Sequence, residues 1–199
     1  VTVEDKNGIS DFVSDESCRI GKGFVCGYEF NQSEHHDYNH YNNCLAPDFD
    51  DSGWENAVPT EKLDTDYCTT DCPTDKLIEE LSVKKIKETE NSVIYDCGEN
   101  TTGHVLLQID APKGEKITVK FSEELADDNT LDMEHHHDQE YTVISDGTNR
   151  IVEPYFTWFG FRYFEVIGKA TPLCVKVIYA DVLVSSTFDS DNETLNWIY

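Results

Sequence analysis

Hydrophobic and polar residues alternate with a period of two through the second half of the chain. Every second residue of 105–109 and of 117–121 carries a large apolar side chain. This period places alternate side chains on opposite faces of a half-buried strand. Further strands are predicted at 93–95, 140–144, 151–156, 162–167, 173–179 and 182–188, and turn sequences at 111–114 and 145–149. Short strands at this spacing predict an all-β fold, an antiparallel β-sandwich or jelly roll.

The most aromatic stretch is 153–168, which holds seven aromatic residues and Gly160. Its pattern predicts a strand, a tight corner at Gly160 and a second strand, with most of the rings in the core. Trp158 and Phe159 flank that corner. If either ring is exposed there, we expect it to stack on a carbohydrate or to dock on another domain.

The first ninety residues are irregular and polar, with no sustained helical period. We expect short strands joined by long turns, one of them at 48–54, whereas 76–87 is compatible with either a helix or a strand. We interpret 1–90 as part of an N-terminal accessory β domain and 91–188 as a β-sandwich domain. A capping-box pattern at 190–193 starts a helix, so 189–199 form the first turns of a further domain.

Charge narrows the range of partners. Forty acidic residues against fifteen Lys and Arg give a formal net charge of −25. Nucleic acid and anionic membrane surfaces need an electropositive footprint, so neither is an expected partner. The seven cysteines have no framework spacing, which favours free thiols in a reducing compartment, and we expect the cytoplasm. The chain begins at Val1 without Met, and we expect it to be cut from a longer protein.

Oxygen-bearing side chains follow the strand predicted at 93–95. Asp96, Glu99 and Asn100 stand beside glycines, and carboxylate and amide oxygens of this kind hold calcium. The alternative is a turn in which these side chains bind their own backbone. We expect no cofactor, with calcium as the alternative at this site, and assign no residue a catalytic role.

Histidines form two further candidate sites. His135, His136 and His137 are consecutive, so on a strand they would point to opposite faces. A loop that is solvated, contacts carbohydrate or docks on another domain is therefore favoured over a transition-metal site. His36 and His40 lie four residues apart, which would suit zinc on a helix, but their surroundings favour a loop.

Four phrases, in order, resemble the bacterial α-L-rhamnosidases of glycoside hydrolase family 78. They are YDCGENTTGHV at 95–105, APKGE at 111–115, FSEEL at 121–125 and EPYFTWFGFRYFEV at 153–166. The resemblance covers about 93–199, and 48–54 fits a turn that closes a preceding domain. Cys97 and Glu99 depart from the family's usual residues, and the first forty residues match poorly.

The resemblance implies a concanavalin-like β-sandwich that precedes an (α/α)6 barrel, and the barrel would carry the acid and base of inverting hydrolysis. The chain would then be a non-catalytic fragment, inactive alone, with that barrel as its partner. The whole enzyme would remove terminal α-L-rhamnose from glycosides, so rhamnosides or other neutral carbohydrates are the expected ligands. The alternative is a free-standing calcium-dependent carbohydrate-binding module.

Overall fold

A computed structural model describes residues 2–6, 8–11, 13–29, 32–61, 64–66, 68, 72–134, 139–180 and 187–198. Strands dominate these residues, and helix is confined to two short segments. The strands are β1 (Thr2–Asp5), β2 (Gly8–Asp11), β3 (Arg19–Ile20), β4 (Val25–Glu29), β5 (Ser33–Asp37), β6 (Glu55–Asn56), β7 (Asp75–Leu81), β8 (Lys84–Glu88), β9 (Ser92–Ile109), β10 (Lys116–Ser122), β11 (Glu140–Ile144), β12 (Arg150–Val152), β13 (Phe159–Ile167) and β14 (Ala170–Ala180). The helices are a 3₁₀ turn at Tyr38–His40 and α1 at Glu193–Ile198. The predicted all-β sandwich with a short C-terminal helix is confirmed.

Ten of the strands form one curled sheet. Its order is β4-β5-β11-β10-β13-β9-β14-β7, and β8 and β12 also pair with β9. Neighbours are antiparallel except β5 and β11, which run parallel. The pairs β1–β2 and β3–β6 form two separate two-stranded sheets.

β9 is the longest strand, with 18 residues, and it organises the sheet. One edge of β9 pairs with β13. The other edge pairs with β8 near its start and with β14 near its end. Gly103 is needed at this change of partner, because a Cβ there would lie 1.9 Å from the backbone oxygen of Lys176. The close approach of two backbones fixes where β14 joins the sheet.

The core lies inside the curl and is rich in β-branched and aromatic side chains. The rings of Phe121 and Phe159 stack with their centroids 4.1 Å apart, and both side chains are fully buried. The apolar rows predicted at 105–109 and 117–121 supply much of this core, so their predicted inward face is confirmed.

Several strands end elsewhere than the pattern predicted. The prediction at 140–144 is confirmed, whereas 76–87 forms β7 and β8 rather than a helix. The expected corner at Gly160 is wrong, because Gly160 lies within β13 and pairs with Thr102 of β9. The chain turns earlier, between the ends of β12 and β13. Of the strand predicted at 182–188, residues 181–186 lie outside the described residues.

The expected division at residue 90 is not a boundary of the sheet. β4, β5, β7 and β8 come from the first ninety residues, and all four pair with strands that follow residue 90 or with one another. At the other end α1 begins as predicted, although Asn192 rather than Ser190 caps it, accepting the amides of Thr194 and Leu195 at 3.0 and 3.2 Å. Within the described residues, no helix has the length and apolar character needed to cross a membrane.

Candidate functional site

β5 carries two polar side chains into the core. Burial alternates along Ser33–Asp37, so Glu34 and His36 face inward, and they are 0% and 1% exposed. A carboxylate is almost never buried this completely unless its charge is paired and its oxygens are hydrogen-bonded.

The Glu34 carboxylate is bonded on both oxygens. Oε1 accepts the backbone amide of Tyr155 at 2.7 Å and contacts Nε2 of His36 at 2.6 Å. Oε2 accepts the amides of Phe156 and Thr157 at 2.8 and 3.0 Å. Three consecutive backbone amides thus converge on one carboxylate, an arrangement that favours a negative charge. Glu34 therefore fixes the turn between β12 and β13.

These bonds decide the protonation of Glu34. Burial alone raises the pKa of its carboxyl group, but the hydrogen bonds from His36, Tyr155 and Phe156 lower it by more, so the pKa lies below its ordinary value. Hydrogen bonds to the charged form and a nearby imidazole outweigh the cost of desolvation. Glu34 is ionised at neutral pH.

His36 passes the network on to Tyr141. Its Nδ1 lies 2.9 Å from the Tyr141 hydroxyl, and burial raises the pKa of that phenol well above its ordinary value. Tyr141 therefore keeps its proton. Nε2 of His36 donates to the carboxylate of Glu34, which can only accept, and in a neutral imidazole Nδ1 then accepts from the Tyr141 hydroxyl. We call Glu34, His36, Tyr141 and the amides of 155–157 the Glu34 clamp.

A second, partly buried network lies beside the clamp. Oε2 of Glu153 accepts from Lys176 Nζ at 2.6 Å and contacts His104 Nε2 at 2.9 Å. Burial raises the pKa of Glu153, but the bonds from Lys176 and His104 lower it overall. Burial also lowers the pKa of His104, against the opposing pull of Glu153. Glu34 of β5 thus holds the middle of the turn, and the bonds of Glu153 hold its start, directly after β12.

The turn that Glu34 holds presents an exposed ring. Phe156 is 62% exposed and lies beside Tyr28 of β4, which is 51% exposed. Their ring centroids are 6.2 Å apart, and the rings meet at 62°. Together with Gly23, Phe24 and Val25 they line a cavity of about 470 Å³. We call it the aromatic groove, and within the described part of the chain no charged side chain lines it.

A polar cleft lies at the other end of β4 and β5. Its volume is about 460 Å³, and it is lined by Glu29, Gln32, Ser33, Lys120, Met133, Gln139 and Glu140. Met133 and Gln139 flank the segment that contains His135, His136 and His137. These three histidines lie outside the described residues, so their predicted role in binding carbohydrate or docking a domain stays a prediction.

Asp96 is engaged by an arginine. Its oxygens accept from Nε and Nη2 of Arg162 at 3.0 and 3.2 Å, and the Gly98 amide donates to it at 2.7 Å. The Arg162 guanidinium holds the pKa of Asp96 below its usual value. Glu99 and Asn100 are exposed and line a cleft to which Asp96 does not contribute. Within the described part of the chain, no three His, Cys, Asp or Glu side chains are grouped to hold a metal ion.

The two aromatic residues predicted to flank a corner differ in their surroundings. Phe159 is 0% exposed, so the exposed position considered for it is wrong. It follows the turn as the first residue of β13, and its side chain lies in the core. Trp158 is half-buried, and its Nε1 lies 3.3 Å from Oδ2 of Asp75. A role for Trp158 in docking or in sugar binding stays a prediction.

Free thiols offer no nucleophile in the core. Cys18, Cys26, Cys44, Cys97 and Cys174 form no disulfide. Burial raises the pKa of the Cys97 thiol to about 11, and a protonated buried thiol is chemically inert.

Comparison with known proteins shows which family the domain that contains most of the sheet resembles. Residues 86–184 match the family model of the bacterial alpha-L-rhamnosidase concanavalin-like domain. This part of the chain belongs to that family.

Known relatives extend the likeness beyond the matched domain. The chain is 30% identical over 164 residues to an alpha-L-rhamnosidase of Formosa agariphila, which covers 74% of this chain and 17% of that protein. It is 26% identical over 170 residues to one of Streptomyces avermitilis, which covers 77% of this chain and 16% of that protein. The solved alpha-L-rhamnosidase structure from Dictyoglomus thermophilum superposes with a TM-score of 0.84 at 26% identity, over 98% of this chain and 23% of that one.

Two facts about the concanavalin-like domain follow from these figures. The chain spans less than a fifth of the length of the relatives it matches. The structural match also includes β4 and β5, which precede residue 86, so the Glu34 clamp joins the matched domain to the residues before it.

Sequence reasoning missed the clamp and the groove. Burial alternates along Ser33–Asp37, but all five residues are polar, so the sequence does not show that Glu34 and His36 face inward. Zinc at His36 and His40 was the metal alternative there, yet both ring nitrogens of His36 contact Glu34 and Tyr141. The amides that complete the clamp lie more than a hundred residues away, where no local pattern reaches.

Proposed function

We propose that this chain is a non-catalytic accessory region of an α-L-rhamnosidase-like glycoside hydrolase, and that the whole protein releases terminal α-L-rhamnose by inverting hydrolysis. The observation that carries the proposal is the superposition of 98% of the chain on 23% of the Dictyoglomus thermophilum alpha-L-rhamnosidase. A chain that occupies under a quarter of an enzyme leaves most of that enzyme, including room for a catalytic domain, outside itself.

The carboxyl groups of Glu34 and Glu153 support a structural role. Inverting hydrolysis needs a general acid whose pKa is raised, opposite a general base that activates water. Glu34 and Glu153 both have lowered pKa values, and Glu34 is closed to solvent. Their chemistry suits holding a turn in place rather than protonating a leaving group.

The partner of the sandwich is an (α/α)6 catalytic domain that begins at 189–199. The apolar side chains of α1 support this proposal, because Leu195, Trp197 and Ile198 are 48%, 86% and 66% exposed. Large apolar side chains on a short helix favour a surface that covers them. The ligand of the whole protein is a rhamnoside or another neutral carbohydrate, which is compatible with a net charge of −25.

The test compares this chain with the longer protein encoded by the same gene, using 4-nitrophenyl α-L-rhamnopyranoside as substrate. We expect the longer protein to release nitrophenol and to form β-L-rhamnose first, as detected by NMR. The 199-residue chain should show no hydrolysis, and 4-nitrophenyl β-D-glucopyranoside controls for unspecific cleavage. Hydrolysis by the short chain at the rate of the longer protein would contradict the proposal.

A further inference from the structure

We propose that the aromatic groove is a binding site for a neutral 6-deoxyhexopyranose, with Tyr28 and Phe156 stacking on the sugar. The choice of sugar rests on the proposed function, whereas the existence of the site rests on the groove itself.

The two rings are exposed where a folded protein would normally bury them. Phe156 is 62% and Tyr28 is 51% exposed, and they stand side by side rather than scattered over the surface. Grouped apolar side chains that remain open to water mark a binding surface, because burying them is strongly favourable.

The walls of the groove are held rigidly. The Phe156 amide donates to Glu34 at 2.8 Å, so the clamp fixes the backbone that carries this ring. The ring of Phe24 packs against His36 with centroids 5.1 Å apart, and the Phe24 carbonyl accepts the Asp37 amide at 2.7 Å. Two walls are therefore tied to the same buried network. A surface ordered in advance loses less conformational entropy when its ligand binds.

Charge and shape select the ligand class. Among the described residues the groove has no charged lining side chain, so an ionic ligand would find no counter-charge there, and the chain's net charge of −25 further disfavours an anion. Aromatic faces are electron-rich and attract the C–H groups of a pyranose face, while the Tyr28 hydroxyl supplies one polar contact. The methyl group of a 6-deoxy sugar adds apolar surface where a hexose has a hydroxyl. A cavity of about 470 Å³ also lies in the size range of small-ligand sites.

The experiment is an NMR titration of the 199-residue chain with methyl α-L-rhamnopyranoside. We expect saturable shifts of the aromatic resonances that disappear in the spectra of Tyr28→Ala and Phe156→Ala. Each variant should bind the glycoside at least about tenfold more weakly, the loss expected for one stacking contact of about 1.4 kcal/mol. Tyr179→Ala is the matched control, because Tyr179 is 47% exposed and lies outside the groove; it should bind as the parent chain does. Amide spectra confirm that all three variants are folded.

Two outcomes would overturn this inference. One is the absence of saturable shifts, or equal affinity in the parent chain and Phe156→Ala. The other is a docking role for the groove. In that case the short chain binds no rhamnoside, but Phe156→Ala makes the catalytic domain of the longer protein more sensitive to proteolysis. Rhamnoside hydrolysis by the longer protein is measured separately, so the inference can fail while the proposed function stands.

Discussion

The carboxylate of Glu34 accepts the backbone amide of Tyr155 at 2.7 Å, although 121 residues separate them in the sequence. This bond joins β5, which precedes the family match, to a turn inside it. The residues before the family match and the concanavalin-like domain therefore share one buried charge, and a substitution of Glu34 should destabilise both.

Replacing Glu34 tests the clamp directly. In Glu34→Gln the side-chain amide group would face backbone amides that also donate, and the buried network would lose its charge. We expect the free energy of unfolding to fall by about 3 kcal/mol, because hydrogen bonds to a charged group are lost and buried amide donors are left without an acceptor. Urea denaturation measures it. Glu29→Gln, at an exposed site on β4, should change stability by no more than about 0.5 kcal/mol. Equal stability of the two variants would rule out the clamp.

His104 should make stability depend on pH. Its folded-state pKa lies below the ordinary value of 6.5, chiefly because of burial. Between those two values the unfolded chain binds more protons than the folded chain, so stability falls as pH drops. His104→Gln should flatten this slope as the pH falls below the ordinary value of 6.5. His40→Gln, whose parent side chain is 40% exposed, serves as control, and an unchanged slope in His104→Gln would contradict the assignment.

Phe159 and Phe156 form a matched pair three residues apart. Phe159→Ala should lower the free energy of unfolding by about 3–5 kcal/mol, because it opens a cavity against Phe121. Phe156→Ala removes a ring that is 62% exposed and should cost less than about 1 kcal/mol. Thermal denaturation followed by circular dichroism distinguishes them, and similar losses would mean that Phe156 is buried.

Calcium should leave the melting temperature unchanged. Arg162 already neutralises Asp96, so a cation would have to displace it. Differential scanning fluorimetry with calcium and then with EDTA tests this expectation, and Glu99→Gln provides the matched control. Asp96→Asn should lower the free energy of unfolding by about 1 kcal/mol, the usual scale for a partly exposed ion pair. A calcium-dependent rise that Asp96→Asn abolishes would restore the metal site.

Strands whose side chains alternate strictly could be predicted from the sequence. Glu140–Ile144 has the predicted bounds, and Lys116–Ser122 extends its prediction by one residue at each end. Both lie inside the sheet, where one face meets the core and the period of two is enforced. The helix at Glu193–Ile198 could also be predicted, from the polar capping residues before it and its apolar face.

Strands that depend on distant partners could not be predicted. The pattern predicts separate strands at 93–95 and 105–109, whereas β9 runs unbroken over Ser92–Ile109. Its continuity comes from pairing with β13 and β14, which supplies hydrogen bonds that local propensity does not reveal. The clamp and the groove fall in this class, since each unites residues from β4 or β5 with the turn at 155–157.

The parallel pairing of β5 with β11 imposes an order on folding. Ser33 meets Glu140 in that register, so the β4–β5 hairpin has no neighbour on its inner edge until about a hundred more residues have left the ribosome. At synthesis rates of about 5–20 residues per second, that interval is roughly 5–20 s. Nascent hairpins with an open edge are prone to wrong pairing, so chaperone occupancy on the ribosome should peak before β11 emerges and fall afterwards.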